Sequence, residues 1–245
     1  MKYTLLLFTL ILSSFCLSQS SSDYFLLALK KQNNGDNEGA LMAYNQSIAL
    51  DSMAPGSYFN RAIVKFFLKD YKGSVLDFTS SIKLNPIDNS AYYNRADVKA
   101  ALKDYKGAIK DCNKALELVP TDYKTYFNRG LYYSKISDLK NAVADYDKTI
   151  SLNFKFIPAY RQRGVAYSKL NNYESSLKDF NVVISYYSGK VEGFDDNNPN
   201  NKAGDYFNRA VAKLNLGDKI GACKDAEIAE GLGYPIHKVN DFSCN

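Results

Sequence analysis

Tryptophan is absent from this 245-residue chain, and histidine occurs once, at His237. A single histidine excludes a His-based triad, a two-histidine metal site and a His–Cys pair within one chain. Phosphate-cradling motifs of the Gly-x-x-x-x-Gly-Lys or Gly-x-Gly-x-x-Gly type are missing too. Charge of one sign is never concentrated: 31 basic and 26 acidic residues are interspersed, for a net charge of +5. Such a surface is mildly basic, without the clustered footprint of a nucleic-acid binder. After residue 18 no apolar run reaches the ~20 residues of a bilayer-spanning helix. These absences predict a chain with no enzymatic activity, no cofactor, no metal, no nucleic-acid partner and no integral span in its mature form.

The first residues point to export. Met1-Lys2 is a short basic start, Leu5 to Leu12 is apolar except for Thr9, and residues 13–18 turn small and polar. This pattern predicts a secretory signal peptide over 1–18, with Cys16 and Ser18 before the cut and Gln19 as the new N-terminus. A periplasmic or secreted location follows. An uncleaved anchor is the alternative, and bulky Phe15 argues against lipidation of Cys16. Cys112, Cys223 and Cys244 would remain. Cys112 and Cys223 stand three repeats apart, beyond the ~7 Å Cα separation a disulfide tolerates. Either Cys223 bridges to Cys244, tying down the tail, or both stay reduced.

What is abundant is tyrosine, and it keeps time. Tyr24, Tyr58, Tyr92, Tyr126 and Tyr160 recur every 34 residues, and Tyr206 follows after 46. The extra twelve residues are an insertion, 191–202. Six units align without gaps: 21–54, 55–88, 89–122, 123–156, 157–190 and 203–236, leaving a tail at 237–245. Place eight is always small (Ala28, Ala62, Ala96, Gly130, Gly164, Ala210), as is place twenty (Ala40, Ser74, Ala108, Ala142, Ser176, Ala222). Small residues at fixed helical places let two helices approach closely. Asp36, Asp70, Asp104, Asp138, Asn172 and Asp218 stand where a second helix would start, as N-caps. Pro86 and Pro120 close the second and third units.

This pattern resembles the tetratricopeptide repeat (TPR), over about nine-tenths of the mature chain. The resemblance implies an all-α fold, a right-handed superhelical α-solenoid of antiparallel helix pairs. The sixth unit departs from the pattern, with Ala226 and Glu230 replacing large apolar residues, as a terminal cap would.

Place seven is arginine where the family resembles leucine: Arg61, Arg95, Arg129, Arg163 and Arg209. Sixteen residues later stand Asp77, Asp111, Asp145, Asp179 and Asp225. The first unit has Leu27 and Ala43 instead, losing both together. Joint loss predicts structural ion pairs within each repeat, bidentate in geometry. A ligand-binding arginine row is the alternative.

By resemblance, the first helix of each unit lines a concave groove through places two, five, six, nine, twelve and thirteen. Place five reads Phe25, Phe59, Tyr93, Phe127, Arg161 and Phe207; place six reads Leu26, Asn60, Asn94, Asn128, Gln162 and Asn208. Aromatics offer apolar area and amides both donate and accept, which suits an extended peptide. The competing reading packs the rings on neighbouring helices and uses the amides between repeats. A carboxylate clamp of the chaperone-binding kind is excluded, since only Asn94 and Lys124 match it. The acidic insertion (Asp195, Asp196) lacks the spacing of a calcium loop.

The expectation is therefore an exported, non-enzymatic scaffold that binds a protein or peptide partner in its groove. A self-assembling envelope component and a glycan-binding envelope module stand as alternatives. Partner identity and oligomeric state are not legible in the sequence.

Overall fold

The computed structural model describes residues 19–187 and 199–235. The expected signal segment, the tail with Cys244 and residues 191–198 of the insertion lie outside them. Twelve helices follow one another: α1 (Ser21–Asn33), α2 (Asn37–Leu50), α3 (Pro55–Phe67), α4 (Tyr71–Leu84), α5 (Asn89–Ala101), α6 (Tyr105–Leu118), α7 (Tyr123–Lys135), α8 (Leu139–Leu152), α9 (Ile157–Lys169), α10 (Tyr173–Tyr187), α11 (Pro199–Asn215) and α12 (Lys219–Gly231). No strand occurs among the described residues. The fold is all-α, of the TPR type.

Each turn between paired helices is built the same way. One residue at place fifteen takes a left-handed backbone: Gly35, Lys69, Lys103, Ser137, Asn171 and Gly217, with φ between 58° and 86°. That conformation ends a helix and reverses the chain; glycine adopts it freely, while a side chain such as that of Lys69 makes it costly. The next residue caps the following helix. Asp36, Asp70, Asp104 and Asp218 each accept from the N–H three residues on at 2.8–2.9 Å. Asp138 and Asn172 do so at 3.3 and 3.1 Å.

The chain forms two compact units, residues 1–102 and 103–245. In the first, α1 pairs with α2 and α3 with α4, while α3 packs on α2 and α5 on α4. In the second, α7–α8, α9–α10 and α11–α12 are hairpins, and each successive helix from α7 onward packs on the one before it.

The core lies inside each helix pair. At place twenty-four Tyr44, Phe78, Tyr146 and Phe180 are fully buried, each worth on the order of 1.5–3 kcal/mol. The small residues at place eight make room for them. At Gly130 a Cβ would stand 2.7 Å from the Tyr146 ring, so only glycine fits beneath it. Place five meets the same ring from the first helix: Phe25 with Tyr44 at 5.9 Å, Phe59 with Phe78 at 5.5 Å, Phe127 with Tyr146 at 5.9 Å between centroids. Cys112, fully buried, occupies place twenty-four of the third repeat.

Candidate functional site

Four of the expected arginine–aspartate pairs have both members within one compact unit, and all four are bidentate. Arg61 donates through Nε and Nη2 to the two oxygens of Asp77, both at 2.7 Å. Arg129 reaches Asp145 at 2.8 and 2.6 Å, Arg163 reaches Asp179 at 2.9 and 2.6 Å, and Arg209 reaches Asp225 at 2.8 and 2.7 Å. In the third repeat Arg95 belongs to the first unit and Asp111 to the second, and that pair stays an expectation. Lys65 and Lys213, four residues after their arginines, add a second cation to Asp77 and Asp225 at 2.8 Å.

Two further contacts of this row escape sequence reading. The remaining Nη1 of each arginine reaches back to place twenty-five of the preceding repeat. Arg61 donates to Asn45 at 2.8 Å, Arg95 to Thr79 at 3.0 Å, Arg129 to Asn113 at 2.7 Å and Arg163 to Asp147 at 2.6 Å. Arg209 reaches Asn181 at 3.2 Å, 28 residues back because the insertion intervenes. Each guanidinium also sits over the place-four tyrosine of its own repeat, 5.4–5.7 Å from the ring centre. A cation–π contact of this kind contributes ~0.5–1 kcal/mol. Arg61, Arg129, Arg163 and Arg209 are therefore engaged on three sides and do not present a row for ligands.

Their electrostatics show what pairing achieves. Burial pushes the Asp145 and Asp179 carboxyls up, against the pull of their arginines. Burial alone would lower Arg129 and Arg163, but hydrogen bonds and charge from the aspartates more than offset it and hold both guanidinium groups up. Desolvation and attraction nearly cancel in such pairs, which fix geometry more than they add stability.

The expected groove residues divide. Phe25, Phe59 and Phe127 are half-buried and belong partly to the core clusters, through the edge contacts above. Phe207 is half-buried under Tyr234, its ring stacked at 4.4 Å and 21°. Tyr93, Asn128, Gln162 and Asn208 are also half-buried. Asn60 and Asn94 each give one amide N–H to their own helix, to the carbonyls of Gly56 and Ser90 at 2.9 and 2.8 Å. Their amide oxygens stay available. Arg161, at place five of the fifth repeat, is buried and faces Asp205 instead of a groove.

Sequence reasoning missed a hollow in the first unit. Ile63, Phe66, Phe67, Phe78 and Val98, together with the polar Asn94 and Asp97, line a cavity of about 150 Å³. Phe67 is 62 % exposed although it is a large apolar ring. Places nine, twelve and thirteen supply Ile63, Phe66 and Phe67, so the signal was two adjacent phenylalanines at groove places; the third repeat has Ala100 and Ala101 there.

Among the cysteines, Cys223 is disulfide-bonded, and its expected partner Cys244 lies outside the described residues. No cluster of metal-binding side chains occurs among the described residues, and no described helix is long and apolar enough to cross a membrane.

Comparisons with known proteins agree with this geometry. Two family models, each described as a tetratricopeptide repeat, match residues 90–122 and 123–156. No curated protein matches the chain. Among solved structures, MamA from Desulfovibrio magneticus superposes with a TM-score of 0.67 at 20 % identity, covering 70 % of this chain and 97 % of its own. A tetratricopeptide repeat protein from Parabacteroides merdae gives 0.66 at 19 %, covering 92 % of this chain and 98 % of its own. YrrB, described as a TPR protein with an unusual peptide-binding site, gives 0.62 at 18 %, covering 86 % and 94 %. With repeat matches at 90–156, the helix-pair architecture and these neighbours, the chain is a tetratricopeptide repeat protein.

Proposed function

We propose that this protein is an exported, non-enzymatic scaffold that holds an extended segment of a partner protein against the first helices of its repeats. The observation that carries this reading is the hollow lined by Ile63, Phe66, Phe67 and Val98, open beside the Asn94 amide. Its size suits one apolar side chain, and an adjacent amide oxygen suits the N–H of an extended backbone. The unusual peptide-binding site of the similar YrrB supports the same use of the fold. In the first unit Phe59 serves as the floor of the surface and Asn60 and Asn94 as its polar residues; in the second, Phe127 and Phe207 with Asn128, Gln162 and Asn208 offer the same residue types on their own first helices. Export rests on the composition of residues 1–18.

The test is capture of a partner from the envelope fraction, identification by mass spectrometry, and titration with peptides from that partner. Phe67→Ala with Asn94→Ala should abolish peptide binding while the circular dichroism spectrum and the monomer mass stay unchanged. Undiminished binding by the double variant would sink the groove assignment. For export, the secreted or periplasmic protein should begin at Gln19; a chain that keeps Met1 argues against it.

A further inference from the structure

The junction between the fifth and sixth repeats differs from the others in kind. Place five is aromatic in the other five repeats, but in the fifth it is Arg161. Place three is Ser57, Ala91, Thr125 and Ala159 in repeats two to five; the first repeat has an exposed Asp23 there, bonded to Ser20, whereas the sixth has a buried Asp205. The two exceptions meet. Arg161 Nε lies 2.8 Å from both oxygens of Asp205, although 44 residues separate them. Tyr187, at the end of α10, completes the cluster: its hydroxyl donates to Asp205 at 2.5 Å and accepts from Arg161 Nη2 at 3.1 Å. Arg161 and Asp205 are 8 % and 1 % exposed. Lys202, just before α11's repeat core, sits 5.5 Å from the Tyr187 ring centre.

The sixth repeat itself has a lighter core than the others. Ala226 stands at place twenty-four, where four other repeats bury a tyrosine or phenylalanine, and the arginine link back to the preceding repeat is the longest, 3.2 Å. An insertion of twelve residues precedes it, so chain connectivity does not set the register in which α11 meets α9 and α10. Apolar faces of alanines slide over one another at little cost. A buried guanidinium has one position in which its carboxylate is in reach, and any other leaves two charges desolvated and unpaired.

We propose that Arg161, Asp205 and Tyr187 form a latch that fixes the last repeat to the fifth in a single register across the insertion. The register of α11 against α9 and α10 then follows from this charged cluster, and the fifth repeat carries Arg161 where the others carry an aromatic ring.

Hydrogen–deuterium exchange on the full chain tests the latch. Asp205→Ala should speed exchange in α11 and α12 at least tenfold and leave α7 and α8 as in the parent. Arg161→Phe combined with Asp205→Ala, the residue types used by the other repeats, should slow α11 and α12 again relative to the single variant. If Asp205→Ala does not fold, Asp205→Asn asks the same question and should loosen the same two helices by a smaller factor. Unchanged exchange in α11 and α12, equal loosening of α7 and α8, or a double variant no tighter than the single one would overturn the proposal.

Discussion

The first and fourth repeats solve one packing problem with different chemistry. In the fourth, Arg129 grips Asp145 in a fork, sits over Tyr126 and reaches Asn113. In the first, Leu27 and Ala43 stand at the equivalent places, and Tyr24, Leu27, Met42 and Ala43 line an apolar depression of about 300 Å³. Both repeats form the same helix pair around a buried tyrosine, Tyr44 or Tyr146. The ion pair is therefore not what makes the hairpin. Its lesson is register: a leucine tolerates several neighbours, whereas a fork with three partners on two repeats tolerates one.

The sharpest way to break the comparison is to make the fourth repeat half like the first. Arg129→Leu alone strands a buried carboxylate and should cost about 3–5 kcal/mol, read as loss of exchange protection in α7 and α8. Adding Asp145→Ala completes the conversion and should recover most of that loss, leaving about 1 kcal/mol. Equal losses in the two variants would show that the pair does not act as a unit.

A second difference lies beneath the tyrosines. The first repeat has Ala28 where the fourth has Gly130, and a Cβ at Gly130 would meet the Tyr146 ring at 2.7 Å. Overpacking of that kind costs about 1–3 kcal/mol, against a helix-propensity gain of about 1 kcal/mol. Gly130→Ala should therefore destabilise by about 1 kcal/mol in urea unfolding, and a stabilised variant would mean the ring yields freely.

The two tyrosines themselves should behave alike. Burial pushes the Tyr44 and Tyr146 hydroxyls up to about 12 from the usual 10.0. A raised value in the folded state means that the stability linked to the neutral phenol is fully present below about pH 10 and is lost as pH rises through about 12. Alkaline unfolding should begin in that window, and Tyr146→Phe should flatten the slope there. Tyrosinate absorbance at about pH 11 that already accounts for all twenty tyrosines of a still-folded chain would contradict it.

The smallest effect is expected at Asn60, whose amide bonds only its own helix. Asn60→Ala should change stability by no more than about 0.5 kcal/mol, so that any loss of partner binding is read cleanly at the surface. The corresponding place in the first repeat is Leu26, 62 % exposed; Leu26→Asn should likewise leave stability unchanged.

How much of this is legible in the sequence depends on repetition. The helix pairs, their caps and the small places recur six times, so one period exposes them. The arginine–aspartate spacing is visible because the first repeat lacks both members at once. The backward arm to place twenty-five is not, since Asn45, Thr79, Asn113, Asp147 and Asn181 share polarity but no single identity. Aromatics at place five look like ligand contacts in one dimension, yet their edges rest on the place-twenty-four rings once the helices pair. The hollow beside Phe67 and the cluster around Arg161 occur once each, and a feature without repetition leaves no periodic trace.

The backward arm has one more consequence, for how such a chain changes length over generations. Arg61, Arg129 and Arg163 each read a residue sixteen positions before them and another sixteen after. Cutting out residues 123–156 as a block would bring Asn113 to the place Asp147 holds before Arg163, and that arginine would still find an oxygen at the same spacing. A cut that is not a whole number of 34-residue repeats would leave it facing a mismatched side chain. The contacts thus act as a ratchet on genetic deletion and duplication, in which whole 34-residue steps pass and fractional ones are rejected by the fold itself.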